Sequence, residues 1–321
     1  DSYMSNDKVY SKHYLRIGSI VQLLAIEHPN NREVVNLYAH HLIAGGDTEM
    51  ALDYLRSHLH SDDTTADDCI FLLSLEQYLN RDDLLGEDLK WSLERFPDNI
   101  SLTVFLAYQQ ADKEDYKGAI KTYKQGIKSA TDDKVRSELW GYIGDTYHQM
   151  EDSKASFNAY RKALGFDADN ILVLNNYAYF LSLEDRDLEE ALQMSARAIA
   201  LEPNNATYID TYAWILHRLG RNEEAKQYMR QALSLDRTNS PELPLHYGDI
   251  LFALGDKFMA ETYWQRALKM GEDVGLIQLR LALLKSENIK SGHIRIEEVK
   301  VKGQKGKQRR ISLTQLDKAQ E

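Results

Sequence analysis

The sequence predicts an all-α solenoid of tandem helix-turn-helix units, and three observations lead there. A corner of Pro with Asn or Asp recurs as EHPNN at 27–31, RFPDN at 95–99 and LEPNN at 201–205. Pro29 and Pro97 stand 68 residues apart, twice 34, and Pro97 to Pro203 is 106, three such periods plus four. Spacing of this length marks a stacked helical repeat. Within each period, aromatic and small residues return at three- and four-residue steps, the spacing of one helix face. Composition agrees: 17 Gly and 5 Pro in 321 residues are too few for the turns of a strand-rich sandwich.

The clearest unit is SELWGYIGDTYHQMEDSKASFNAYRKALGFDADN, 137–170. Trp140, Ile143, Gly144 and Tyr147 mark its first helix, and Ser156, Tyr160 and Ala163 its second. Gly144 and Ser156 are small where two backbones must approach closely, and the aromatics fill the space beside them. The same pattern returns as Leu174, Tyr177, Ala178, Leu181, Ala191 and Ala198 in 171–205, and as Ile209, Tyr212, Ala213, Leu216, Ala225, Met229 and Ala232 in 206–239. In 241–274 it is Tyr247, Gly248, Leu251, Ala260, Trp264 and Ala267. Upstream, 100–133 keeps Leu106, Ala107, Ala119 and Tyr123, and 32–65 keeps Tyr38, Ala39, Leu42 and Ala51. The unit 66–99 departs most, with Leu73 and Leu85 where small residues are expected, so its packing is expected to be wider or rotated. Of the four extra residues between Pro97 and Pro203, three are placed near 134–136 and one within 181–191, at turns.

These coincident positions closely resemble the tetratricopeptide repeat (TPR), over about residues 17–288. The resemblance implies a right-handed superhelical solenoid of about seven to eight repeats. Residues 1–31 read as a partial or divergent N-terminal repeat, 32–274 as the solenoid, 275–290 as a capping helix and 291–321 as a basic, partly disordered or strand-forming tail. Each Pro corner is expected to stop one helix and supply the N-cap of the next.

Charge and motifs narrow the chemistry. Residues 293–321 hold eight Lys or Arg against four Asp or Glu, so a chain of net charge -11 carries about -15 in residues 1–292. An acidic body repels phosphate backbones, which argues against nucleic acid as a ligand. No run approaches 18 apolar residues, so no segment reads as a spanning helix. The chain opens at Asp1, which leaves room for a signal or lipoprotein leader upstream. The single cysteine, Cys69, has no internal disulfide partner and reads as a small buried hydrophobe. HExxH, GxSxG, GxGxxG and paired CxxC patterns are absent; KGQKGKQ at 302–308 lacks the spacing and Ser/Thr of a phosphate loop, and SNDK at 5–8 is a bare SxxK. No catalytic residue, metal site or cofactor is therefore expected. HLHSDDTTADDC at 58–69 could be imagined as metal ligands but reads as a helix end, a turn and a capped helix start. NIS at 99–101 and NAT at 205–207 match the glycosylation tripeptide, yet both fall where a capping Asn is wanted.

Similarity to TPR proteins also indicates which side of each first helix faces the concave groove. Read down the chain, the ligand-binding candidates there are Asn36 and His40, then Tyr108, Asp145 and His148, then Asn175, Asn176 and Tyr179, and finally Asp210, Trp214, His217 and Asp249. Ile70, Ser74, Val104, Gly141, His246 and Phe252 share that side. No Lys or Arg column is present, so the carboxylate clamp of some TPR cochaperones is missing. Asn pairs with both donors and acceptors of an extended backbone, and aromatics supply contact area at low entropy cost. The expected ligand is a protein or extended peptide with some positive charge, bound around 141–252. The plain alternative for each residue is an ordinary exposed helix face.

The tail leaves the period. Ile294 with Ile296 and Val299 with Val301 alternate before six basic residues between 300 and 310. It reads as a solvated end, as a strand added to a partner, as an intramolecular ligand of the acidic body, or as a contact for an anionic membrane. NNYAYFLS, LEPNNATYIDTYAWILHRLGRNEEA and LHYGDILFALGDKFMAETYWQRAL resemble the terminal repeats of bacterial envelope TPR lipoproteins. That resemblance implies a non-enzymatic scaffold or adaptor in an envelope assembly or protease complex. It favours a periplasmic or outer-membrane-anchored location over a cytoplasmic one, with peripheral or lipid-anchored membrane association. A leader ending in a lipidated Cys just before Asp1 would decide that placement. The alternative is a regulatory TPR domain of a larger enzyme or sensor.

Overall fold

The computed structural model describes residues 7–284, 294–300 and 309–315. Among them are sixteen helices and two strands, in two compact units, 1–150 and 151–321. The first unit holds α1 (Asp7–Glu27), α2 (Arg32–Gly45), α3 (Thr48–His58), α4 (Ala66–Tyr78), α5 (Asp82–Arg95), α6 (Ile100–Asp112), α7 (Tyr116–Ser129) and α8 (Asp133–Gln149). The second holds α9 (Ser153–Phe166), α10 (Ile171–Leu183), α11 (Leu188–Leu201), α12 (Ala206–Arg218), α13 (Asn222–Leu235), α14 (Glu242–Ala253), α15 (Lys257–Lys269) and α16 (Val274–Leu284), followed by β1 (Ile294–Lys300) and β2 (Arg309–Gln315). Within each unit, consecutive helices pack in antiparallel pairs, and the even-numbered, first helices line up side by side: α4 with α6, and α10 with α12 and α14.

The Pro corners act at both helix ends. α1, α5 and α11 stop before theirs, and the Asn31, Asn99 and Asn205 side chains accept backbone N–H groups of Val34, Leu102 and Thr207 at the start of the next helix. Asn170 caps α10 the same way through Val173. Proline cannot continue the old helix, and the amide oxygen satisfies an orphan donor of the new one.

The turn inside each pair repeats one backbone shape. Gly46, Asn80, Glu114, Glu151, Asp185, Gly220 and Gly255 all adopt positive φ, in steps of 34, 34, 37, 34, 35 and 35 residues. The step of 37 locates the three extra residues, and here the sequence expectation needs correcting. Lys134 to Arg136 lie not in a turn but inside α8, which runs 17 residues against 13 for α10 and α12. One added helical turn of about 3.6 residues returns the same face to the same side, so the helix absorbs the insertion without rotating.

Small residues set how closely the pairs approach. In the second unit Ala178, Ala191, Ala198, Ala213, Ala225, Ala232, Ala260 and Ala267 are all 0% exposed. Gly248 is a tighter case, because a Cβ there would stand 2.3 Å from Cδ1 of Trp264, whose indole lies across it. In the first unit Ala39, Ala51, Leu52, Cys69, Leu72, Leu73, Leu85 and Leu102 share one core. With Leu73 and Leu85 in place of small residues, the backbones of α4 and α5 approach less closely than those of α6 and α7. The histidine and aspartate stretch 58–69 is the end of α3, a turn and the capped start of α4: Thr65 and Asp68 form a reciprocal capping box, and Asp68 also receives Asn36 Nδ2 at 2.7 Å and pairs with Arg32 at 3.1 Å.

β1 and β2 pair antiparallel, with Ile294 opposite Gln315 and Lys300 opposite Arg309. β1 runs beside α14 and β2 beside α16. The strand partner of Ile294–Lys300 is thus in its own chain; the basic run between the strands lies outside the described residues. Among the described residues, no helix is long and apolar enough to cross a membrane.

Candidate functional site

The residues expected to line a groove fall into two groups, one per unit. In the first unit, Asn36 on α2 is half-buried and engaged with Asp68 of α4. His40 is exposed and stacks on Phe71 of α4 with ring centroids 4.6 Å apart. Tyr108 on α6 is 55% exposed, and Asp145 and His148 on α8 are half-buried. His40 and Tyr108 therefore present side chains to solvent from a helix face.

The second unit differs. Asn175, Asp210, Trp214, His217 and Asp249 are all buried, with Trp214 only 5% exposed, where the sequence suggested an open face. The reason lies in contacts between repeats. Trp214 of α12 stacks on His246 of α14, 4.2 Å between centroids and 20° between planes. Nδ1 of His246 faces both carboxylate oxygens of Asp210 at 3.0 and 3.1 Å. Tyr179 of α10 reaches across two repeats to donate to Glu242 at 2.6 Å. Asp249 is held by three bonds: it accepts from Trp264 Nε1 at 2.8 Å and from Arg280 Nε and Nη2 at 2.7 Å each, which fastens α16 to α14.

Electrostatics follow from this burial. Burial works against a charged His246, yet the Asp210 carboxylate beside it holds the imidazole up at about 9. Burial likewise pushes the Asp210 carboxyl up, only partly offset by His246. The pair therefore carries its proton on the imidazole at neutral pH, stacked against the indole face as a cation–π contact. His217 behaves oppositely: burial drives it down to about 4, so it is neutral. Its Nδ1 donates to Asn222 Oδ1 at 2.6 Å, which leaves Nε2 as an acceptor. The acidic charge that suggested a positively charged ligand is thus neutralised within the chain, Asp210 by His246 and Asp249 by Arg280.

Three buried polar atoms in this row have no partner: Asn175 Oδ1, Trp214 Nε1 and His217 Nε2. Asn175 spends its amide nitrogen on Asn176 Oδ1 at 3.3 Å. The row thus holds one donor and two acceptors without partners on the neighbouring helices α10 and α12, all enclosed, so a peptide backbone, which carries both, would meet them only once these side chains turn outward. It offers no nucleophile with an adjacent base. Among the described residues, no group of three or more His, Cys, Asp or Glu is placed to hold a metal. The sequence reading undervalued His246, Glu242 and Arg280. Only Arg280, the lone charge in the apolar run GLIQLRLALL, carried a visible signal.

Comparison with known proteins reaches the same architecture. The tetratricopeptide repeat model matches residues 137–170 and 206–239. These two stretches are tetratricopeptide repeats. TPR proteins are in general protein-interaction scaffolds. The type IV pilus assembly protein PilF of Pseudomonas aeruginosa is 32% identical over 113 residues, 35% of this chain and 44% of that protein. The chain spans less than half the length of the curated relatives it matches. A TPR protein structure from Parabacteroides merdae superposes with a TM-score of 0.59 at 15% identity, covering 79% of this chain and 98% of that one. Yeast Tom70 gives 0.61 at 12% identity, covering 87% and 59%. At such identities these structures speak for the fold alone.

Proposed function

We propose that this chain is a non-enzymatic adaptor that holds a protein partner, as an extended segment, along the first helices of its second unit. On this reading α10, α12 and α14 are the binding array and α16 closes it. The observation that carries the reading is the set of three buried atoms without partners on α10 and α12. Leaving a buried polar group unsatisfied costs about 1–3 kcal/mol, and a bound backbone would recover part of that once these enclosed side chains turn to meet it. Recognition through the backbone suits a row whose charges are already paired. Work in a bacterial envelope assembly or protease complex, from the periplasm or an outer-membrane anchor, is the setting we favour; the pilus-assembly name of PilF supports an assembly role.

The test is capture from a bacterial envelope extract by the intact chain and by Asn175→Leu/Trp214→Phe, with bound proteins quantified by mass spectrometry. Asn175→Leu keeps the branched shape but adds volume, and Trp214→Phe removes three ring atoms, the indole N–H among them, so the fold of the variant is checked by circular dichroism before capture. Loss of a partner by the folded variant supports the row as the site. Equal capture by both forms would refute it.

A further inference from the structure

We propose a second binding surface, on the first unit: the exposed side of α7 takes an acidic helix, about three turns long, from a partner protein. It lies in a different unit from the row described above and does not depend on that row binding anything.

Charge carries the inference. Residues 1–150 hold 15 Lys or Arg against 25 Asp or Glu, yet α7 has four Lys and no acid. Lys117, Lys121, Lys124 and Lys128 follow one another by four, three and four residues, which keeps them on one face of the helix. All four are exposed, while Ala119, Ile120, Thr122, Tyr123 and Gly126 are buried on the other side. Among the described residues, no carboxylate forms an ion pair with any of the four. Lys90 on α5, by contrast, has Glu94 one turn on at 3.9 Å.

Helix stability does not account for this stripe. Like charges three or four residues apart repel one another. Lys117 stands in the first turn, where the positive end of the helix opposes a cation. The second helices α5, α11 and α13 open instead with acid pairs: Asp82 and Asp83, Glu189 and Glu190, Glu223 and Glu224. Proteins break such local rules chiefly where function demands it, and what the break produces here is a narrow positive field on an acidic unit.

The surroundings set the width and form of the ligand. Exposed Asp112, Glu114 and Asp115 precede α7, and exposed Asp132 and Asp133 follow it. A broad anionic surface such as a lipid bilayer would meet those acids along with the lysines, whereas a narrow segment meets the stripe alone. From Lys117 to Lys128 the helix rises roughly 16 Å at ~1.5 Å per residue. A helix with Glu at the same spacing of four, three and four keeps step with every lysine. Same-side residues of an extended strand recur every ~6.8 Å, so a strand is about 4 Å out of step by the fourth lysine.

Fluorescence anisotropy with the full chain at about 20 mM ionic strength tests this. The probe is a labelled helical peptide of about 15 residues, built on Ala and Gln, with four Glu at that spacing; a second peptide spreads the same four Glu around the helix. The parent is expected to bind the aligned peptide several-fold more tightly than the dispersed one, with affinity falling as salt rises. Lys121→Gln/Lys124→Gln is expected to lose about fivefold, and Lys257→Gln/Lys269→Gln, which removes the same charge from α15, less than about twofold. All four substituted lysines are exposed, and matching circular dichroism melts verify that both variants fold. Equal binding of the two peptides, or equal losses in the two variants, overturns the inference. Cosedimentation with phosphatidylglycerol vesicles separates the competing ligand. If the parent sediments with the vesicles through Lys121 and Lys124 but does not bind the aligned peptide, the stripe serves a membrane and the acidic helix is overturned.

Discussion

Replacing Glu76 by Gln is expected to stabilise the first unit at neutral pH, by an amount that depends on pH in a defined direction. Glu76 on α4 is 0% exposed and, as a carboxylate, accepts a hydrogen bond at neither oxygen. The nearest cation, Arg56 Nε, lies 3.5 Å from it but only 2.6 Å from Asp88, which it serves first. Burial, followed by the hydrogen bond and charge of Asp88, lifts Glu76 to about 8 from an ordinary 4.5, while Arg56 and Arg81 pull weakly the other way. Asp88 goes down instead: burial raises it, but the Arg56 guanidinium and the Glu76 proton outweigh that, with His60 adding a smaller pull. Glu76 therefore sits in the folded chain as a neutral acid donating to Asp88.

The folded pKa lies above the unfolded one, so the stability Glu76 contributes is complete below about 4.5 and fades as pH rises toward 8. At pH 7 the folded group must hold a proton the unfolded chain has released, over about 2.5 pH units at ~1.36 kcal/mol each, or on the order of 3 kcal/mol. Gln keeps an N–H donor for Asp88 and needs no proton. Urea titrations followed by circular dichroism at pH 5, 6, 7 and 8 should show the parent losing more stability across this range than Glu76→Gln, with the gap widest at pH 8. Parallel profiles, or a less stable Gln variant at pH 8, would refute the reasoning.

Other expectations concern the second unit. Two-dimensional NMR of the imidazoles should place His246 near 9 and His217 near 4, on opposite sides of 6.5; the stability His246 contributes is then complete below about 6.5 and lost as pH approaches 9. Gly248→Ala drives a Cβ into Trp264 and should cost about 1–3 kcal/mol. Gly220→Ala meets no atom within 4 Å but keeps φ at +79°, so backbone strain of about 1–2 kcal/mol is its main cost. Trp264 fluorescence should shift only in the first of these. Asp249→Leu strands a buried Arg280 guanidinium and should cost about 3–5 kcal/mol, with much of it recovered in Asp249→Leu/Arg280→Met; a double-mutant cycle by urea melts reads the difference.

The helices and their corners were legible because their causes are local. Asn205 caps a helix that begins at the next residue, and Ala178 or Ala213 marks a close approach within one repeat. The departure of Leu73 and Leu85 was equally readable, since each breaks a pattern that its neighbours keep. The insertion at Lys134 to Arg136 was misplaced because a repeat tolerates three extra residues either as a longer turn or as one more turn of helix, and spacing alone does not separate the two.

By itself the sequence determined the period, the order of helices, their caps and the small residues at close approaches. Helical periodicity and capping act over three or four residues, and the resemblance to TPR proteins indicated which residues share the first-helix side. Only the tertiary structure decided what that side is free to do. His246 meets Asp210 from 36 residues away, Arg280 meets Asp249 from 31, and Tyr179 meets Glu242 from 63. These bonds join different repeats, so they depend on how repeats stack, which no one helix encodes. The placement of β1 beside α14 is of the same kind. Charges that looked available in the sequence are spent in such contacts, and the polar atoms left over are the ones on which the proposed function rests.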